Sequence, residues 1–194
     1  YPMEDLVETI KDFHNTPNRY QALMQAVKRD PMKRSEEVAK EIVYFLQREN
    51  DFNLVMQALE NGSIPYRVTH NDTKVNNVMM DKITGNYIAV IDLDTVMPGS
   101  SLFDYGDAIR SVCATALEDE KDLNKVSFNN ELLYYFTKGY LEETKLTAME
   151  LQMLYKAPEL ITNELAMRFL SDYINGDTYF KTNFLKHNLV RARN

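Results

Sequence analysis

The sequence predicts a mainly α-helical domain interrupted by one small β-hairpin. Three observations predict it. Apolar residues recur at helical spacing before residue 66, they do so again after residue 104, and between them lie two β-rich runs joined by a turn-rich link. The chain has 194 residues, 44% of them apolar, with 12 Tyr and 9 Phe. That suits one domain with a real core and excludes disordered, collagen-like and coiled-coil chains. Cys113 is the only cysteine, which excludes an internal disulfide framework and a zinc ribbon. The longest apolar runs, such as Ile88 to Ile91, are too short to span a bilayer.

In the first third, Leu6, Val7, Ile10 and Phe13 repeat at helical spacing, as do Tyr20, Leu23, Met24 and Val27. Ser35, followed by Glu36 and Glu37, reads as a helix start, with Val38, Ile42, Phe45 and Leu46 as its stripe. A further helix through Leu54, Val55 and Leu59 stops at Asn61-Gly62. Tyr66 to Val68 is extended. Asn77 to Met80 and Tyr87 to Ile91 form the hairpin around Asp81-Lys82-Ile83-Thr84-Gly85-Asn86. Asp92-Leu93-Asp94 leads into a loop through Pro98-Gly99, and a helix begins near Asp104 and runs through Ile109, Val112 and Leu117. In the last third, Leu132, Leu133, Phe136, Tyr140 and Leu141 form one stripe. Thr147-x-x-Glu150 is a capping box, and Pro158 breaks or restarts the helix that ends at Asn175-Gly176.

The net charge is −7, and −6 of it falls in residues 51–130, where aspartates crowd between positions 72 and 107. An acidic chain is a poor partner for nucleic acid or an anionic membrane. The aspartates instead bracket the hairpin. His70, Asp72 and Asn77 fit H-x-D-x-x-x-x-N before it, and Asp92 follows it directly. A hairpin brings its two open ends together, so an amide oxygen from Asn77 and a carboxylate from Asp92 stand side by side. Two oxygen ligands with further positions open suit Mg²⁺, which keeps waters and takes phosphate oxygens. Asp72, five residues before Asn77, can then face a substrate hydroxyl.

These motifs resemble the larger, C-terminal lobe of the protein-kinase-like fold (α+β). The resemblance implies that Asp72 accepts the hydroxyl proton, that Lys74 contacts the transferred phosphate, that Asn77 and Asp92 hold Mg²⁺, and that His70 braces the loop. Asp92 is followed by Leu93-Asp94 rather than Phe-Gly, and Ala157-Pro158-Glu159 lies 65 residues beyond it, inside a helical pattern. Asp104-Tyr105-Gly106-Asp107 arrives within fifteen residues instead. That short route resembles the aminoglycoside phosphotransferase and choline kinase superfamily. More closely, VTHNDTKVNNVM, IDLDTVMPGSSLFDYGDAIR and RFLSDYINGDTYF resemble bacterial N-acetylhexosamine 1-kinases from residue 66 onward, with weaker similarity around FHNTPNRY. This implies ATP and Mg²⁺ as cofactors, a cytoplasmic enzyme, and transfer to the anomeric hydroxyl of N-acetylglucosamine or N-acetylgalactosamine. Asp94, Arg168 and Tyr179 would contact the sugar, and Asp107 would cap or brace the loop.

The glycines, at 62, 85, 99, 106, 139 and 176, cannot form G-x-G-x-x-G, and residues before 66 read as helical rather than as a strand-rich nucleotide lobe. The expectation is therefore that residues 1–194 are the C-terminal lobe of a longer kinase, weak in nucleotide binding by itself. Three other readings stand beside this one. They are a kinase of another small alcohol (choline, homoserine or aminoglycoside type), a non-catalytic binding module, and a sulfatase, for which Ser63-Ile64-Pro65-Tyr66-Arg67 supplies an S-x-P-x-R core. His14, His70 and His187 lack metal-site spacing.

Overall fold

The structure, a computed structural model, describes residues 6–194. Helix α1, Thr16–Arg29, starts where the Asn15 side chain accepts the Asn18 N–H and Pro17 occupies the first turn. Residues 6–14 ahead of it are turns and coil, not the helix expected from Leu6, Val7, Ile10 and Phe13. Val7 and Ile10 are exposed there, so their spacing marks no buried face. Helices α2, Ala39–Leu46, and α3, Leu54–Glu60, follow. Ser35 does not cap α2. Its N–H donates to the Asp30 carboxylate and its hydroxyl to Val27 O, which completes the turn out of α1.

Two two-stranded ladders come next. Strand β1, Arg67–Thr69, pairs antiparallel with β4, Met97–Gly99, and β2, Val78–Met80, pairs antiparallel with β3, Tyr87–Val90. The expected hairpin is present; β4 replaces the expected Pro98-Gly99 loop. Proline donates nothing to a ladder, which hides such a strand in the sequence, yet a lone two-stranded ribbon tolerates it. Gly99 is required here, because a Cβ would collide with the Thr69 hydroxyl and the Asn71 amide.

Helix α4, Ser101–Cys113, is capped by the Ser100 hydroxyl and ends before Leu117, which is exposed in the following loop. Helices α5, Asn130–Glu143, and α6, Ala148–Met153, follow, the latter opened by the Thr147–Glu150 capping box. One 3₁₀ turn leads to α7, Ala157–Asn175, with Pro158 in its first turn and Gly176 (φ 107°) closing it. Helix α8 is His187–Arg193. The long α7 runs through the core, burying Leu160, Ile161, Leu170 and Ile174 against α1, α4 and α8. Gly106 lets α4 and the start of α7 meet, since a Cβ there would lie 2.5 Å from Ala157 O. No helix among the described residues is long and apolar enough to cross a membrane.

Candidate active site

The two ladders act as clamps at opposite ends of two loops. Residues 70–77 leave β1 and enter β2; residues 91–96 leave β3 and enter β4. The rungs Thr69–Met97 and Val78–Val90 close the two ends. Between them the loops are stitched together. The Thr95 hydroxyl donates to His70 O (2.6 Å), Asn71 Nδ2 donates to Thr95 O (3.0 Å), and His70 Nε2–H donates to Ile91 O (3.0 Å). His70 Nδ1 then accepts the Asp72 N–H at 3.3 Å, which defines the ring as its Nε2–H tautomer.

Asp104, in the first turn of α4, holds the first loop from below. Its two oxygens accept the N–H groups of His70 (2.9 Å) and Asn71 (2.7 Å), and its carbonyl accepts the Thr73 hydroxyl (2.5 Å). Burial pushes the Asp104 carboxyl above the usual carboxylate range, while the two N–H groups pull against that shift. The resemblance assigns loop bracing to Asp107, whereas the structure places that contact three residues upstream, at Asp104. Asp107 is buried one helical turn on. Its Oδ1 accepts the Arg110 guanidinium, and its Oδ2 has no hydrogen-bond partner among the described residues. The signal that could have found Asp104 is its place in a helix N-terminal turn, since only that turn aims a side chain back at the incoming loop.

Asp72 stands at the centre of the first loop. Its Oδ2 accepts Lys74 Nζ (2.7 Å) and Asn77 Nδ2 (3.0 Å), and Asn77 Nδ2 also reaches Asp72 O (2.8 Å). The buried Asn77 thereby turns its amide nitrogen to the loop and leaves its Oδ1 for another partner. Asn77 O accepts the Ile91 N–H at 2.9 Å, so Asp92 is the next residue past that rung. Asp92 takes a left-handed conformation (φ 63°, ψ 53°), and its carboxylate makes no hydrogen bond or ion pair among the described residues. Asp and Asn enter this region more readily than other non-glycine residues, and Asn71 (φ 65°) does so too.

The donor set fits a hard divalent cation. Asn77 Oδ1 and the Asp92 carboxylate are oxygen donors on neighbouring hairpin positions, and the described residues contain no group of three or more His, Cys, Asp or Glu that could hold a metal. A two-ligand site of this kind leaves coordination positions for water and phosphate, which is how Mg²⁺ is commonly held.

A family model described as the phosphotransferase enzyme family, abbreviated APH, matches residues 3–130, more than half of the chain. The chain belongs to this family. It is thus a kinase-type, small-molecule phosphotransferase of the aminoglycoside phosphotransferase and choline kinase-like superfamily. The match takes in both loops, the hairpin and Asp104, and it ends at Asn130, the first residue of α5.

The residues expected at the sugar lie partly outside that match. Asp94 is exposed in the second loop, where its carbonyl accepts the Thr9 hydroxyl (3.2 Å). Arg168, one helical turn after Glu164 on α7, lies over the Phe180 ring at 5.5 Å, and Tyr179 is 74% exposed beside Phe180. The structure brings Arg168 and Tyr179 to the same aromatic cluster; no hydrogen bond joins either side chain to Asp72 or Asp94. Sequence reasoning missed the residue that shapes this loop. Buried Asp172 accepts the N–H groups of Thr178, Tyr179 and Phe180, each at 2.9 Å, and Asn188 Nδ2 at 2.9 Å. The S-x-P-x-R segment has ordinary partners: Ser63 donates to Asn61 Oδ1, and Arg67 pairs with Glu150.

Proposed function

We propose that the chain is the catalytic lobe of an ATP- and Mg²⁺-dependent kinase that phosphorylates the anomeric hydroxyl of an N-acetylhexosamine. One observation carries the reading: Asp72 shares its loop with Asn77, and Asn77 shares a hairpin rung with the residue before Asp92. In this reading Asp72 accepts the hydroxyl proton through the oxygen not bound by Lys74, and Lys74 follows the transferred phosphate. Asn77 and Asp92 would hold Mg²⁺, which when bound neutralises charge on the phosphate oxygens. His70 keeps the two loops in register. Asp94, Arg168 and Tyr179 orient the sugar.

The exposed apolar side chains of the hairpin, among them Met80, Ile88 and Val90, support a second lobe resting on this face. We assign triphosphate binding to such a strand-rich lobe, because the chain's glycines form no phosphate loop. The substrate is tested by ³¹P NMR of the full-length enzyme with MgATP and a panel of N-acetylhexosamines, neutral hexoses, choline, homoserine and aminoglycosides. A sugar 1-phosphate formed from N-acetylglucosamine or N-acetylgalactosamine supports the reading. Transfer only to another alcohol overturns the substrate and keeps the phosphotransferase.

A further inference from the structure

Residues 9–16, outside the hairpin and its two loops, reach into the site from behind. His14 Nδ1 lies 2.8 Å from Glu164 Oε1 on α7, and His14 Nε2 lies 2.7 Å from Asn71 O in the first loop. Asn71 O belongs to the same peptide plane as the Asp72 N–H, which donates to His70 Nδ1. One peptide, the one that sets the direction of Asp72, is therefore held by a different histidine on each side.

The chemistry of the partners fixes the protons on His14. A carbonyl oxygen only accepts, so Nε2 must carry hydrogen. Glu164 is buried, its second oxygen accepts the Thr16 hydroxyl (2.7 Å), and an unprotonated Nδ1 would set lone pair against lone pair. With Glu164 ionised, both ring nitrogens are protonated and the ring is an imidazolium. The ring packs between Phe13 and Phe103, at centroid distances of 4.8 and 5.0 Å, which holds its plane.

We propose that His14 is a positioning residue for the proposed reaction: as an imidazolium anchored by Glu164, it fixes the 71–72 peptide and so aims the Asp72 carboxylate. The inference rests on the reading of Asp72 as the base. Burial opposes the charge, but the hydrogen bond and charge of Glu164 outweigh it and raise the His14 pKa above the ordinary imidazole value. The other charged groups around the ring are Asp107 and Asp104 on α4, Glu8 and Asp12 on its own segment, and Arg19 on α1, which donates to Phe13 O. The clamp is complete below the ordinary imidazole range and is lost as pH rises through the raised value.

The test is ¹⁵N NMR of the histidine side chains in the full chain, with Glu164→Gln as a variant that leaves the ring in place. At pH 7 both His14 nitrogens should carry protons, and Glu164→Gln should lower the pH at which the second is lost. A singly protonated His14 at pH 7, or a titration unmoved by Glu164→Gln, overturns the clamp whatever the enzyme phosphorylates. In the active enzyme, His14→Gln and Glu164→Gln should each lower kcat at least tenfold with KM for both substrates within twofold, and should shift the alkaline limb of the kcat profile. Unchanged kcat and pH profile in both variants would overturn the positioning role. Absence of any phosphoryl transfer by the wild type would instead overturn the functional reading and leave the NMR result standing.

Discussion

Asp104 and Asn71 are 33 residues apart in the chain and 2.7 Å apart in the structure, carboxylate to backbone N–H. The second oxygen of Asp104 holds His70 in the same way. One side chain thus satisfies two successive donors of a loop that makes no ladder of its own. Replacing Asp104 by Ala leaves both donors without a partner, which costs about 1–3 kcal/mol for each buried unsatisfied group. The expected result is a lower denaturation midpoint, with hydrogen exchange at His70 and Asn71 faster than at α7. Uniform exchange behaviour in the variant would show that the loop is held by something else.

Glu150 gives a pH-dependent prediction away from the site. It is fully buried and accepts Arg67 through both oxygens, the Ser101 hydroxyl and the Thr147 N–H, each at 2.7 Å, tying β1 to α4 and α6. Burial opposes its charge, yet these donors, Arg67 first, hold its pKa down at about 2 against an ordinary 4.5. A depressed folded pKa stabilises above the unfolded value, and that stabilisation is lost as pH falls from 4.5 toward 2. Glu150→Gln should lower neutral-pH stability by about 1.5–3 kcal/mol and flatten the acid limb between those values. Urea titrations across that window read both effects.

The loop bearing Tyr179 is organised by one carboxylate. Asp172→Asn keeps the shape of the side chain and removes the charge that three consecutive N–H groups converge on. For a residue acting through sugar binding alone, KM for the sugar should rise about tenfold with kcat nearly unchanged. A loss confined to kcat would place the loop in the chemical step instead.

Mn²⁺ titrated in place of Mg²⁺ should broaden NMR signals of Asn77 and Asp92 before those of other residues. Asp92→Asn, which removes the only formal charge of the pair, should weaken the apparent affinity at least about tenfold. Broadening centred on another acidic segment would move the metal site.

Much of this was legible in the sequence because the signals are local. The hairpin showed in its two short, largely apolar β-rich runs and the turn-rich link between them, the capping box in Thr147 and Glu150, and the start of α7 in Pro158. What stayed hidden depends on contacts between distant segments. Strand β4 was masked by Pro98 and revealed only by its pairing with β1. Leu6 to Phe13 has a helical pattern but forms turns and coil, held to distant segments by the Thr9 hydroxyl on Asp94 O and, just after it, by His14 on Asn71 O and Glu164. Asp104 and Asp107 share one helix and one residue type. Only the direction in which each carboxylate points tells the loop brace from the partner of Arg110.

The most direct test of the central claim is the turnover of Asp72→Asn in the full-length enzyme under saturating MgATP and acceptor. Asn keeps the shape and the contact to Lys74 but cannot take a proton. If Asp72 is the base, kcat falls by about 10²–10⁴-fold while KM for MgATP changes little. A variant that turns over at close to the wild-type rate would contradict the assignment of Asp72 and the site built around it.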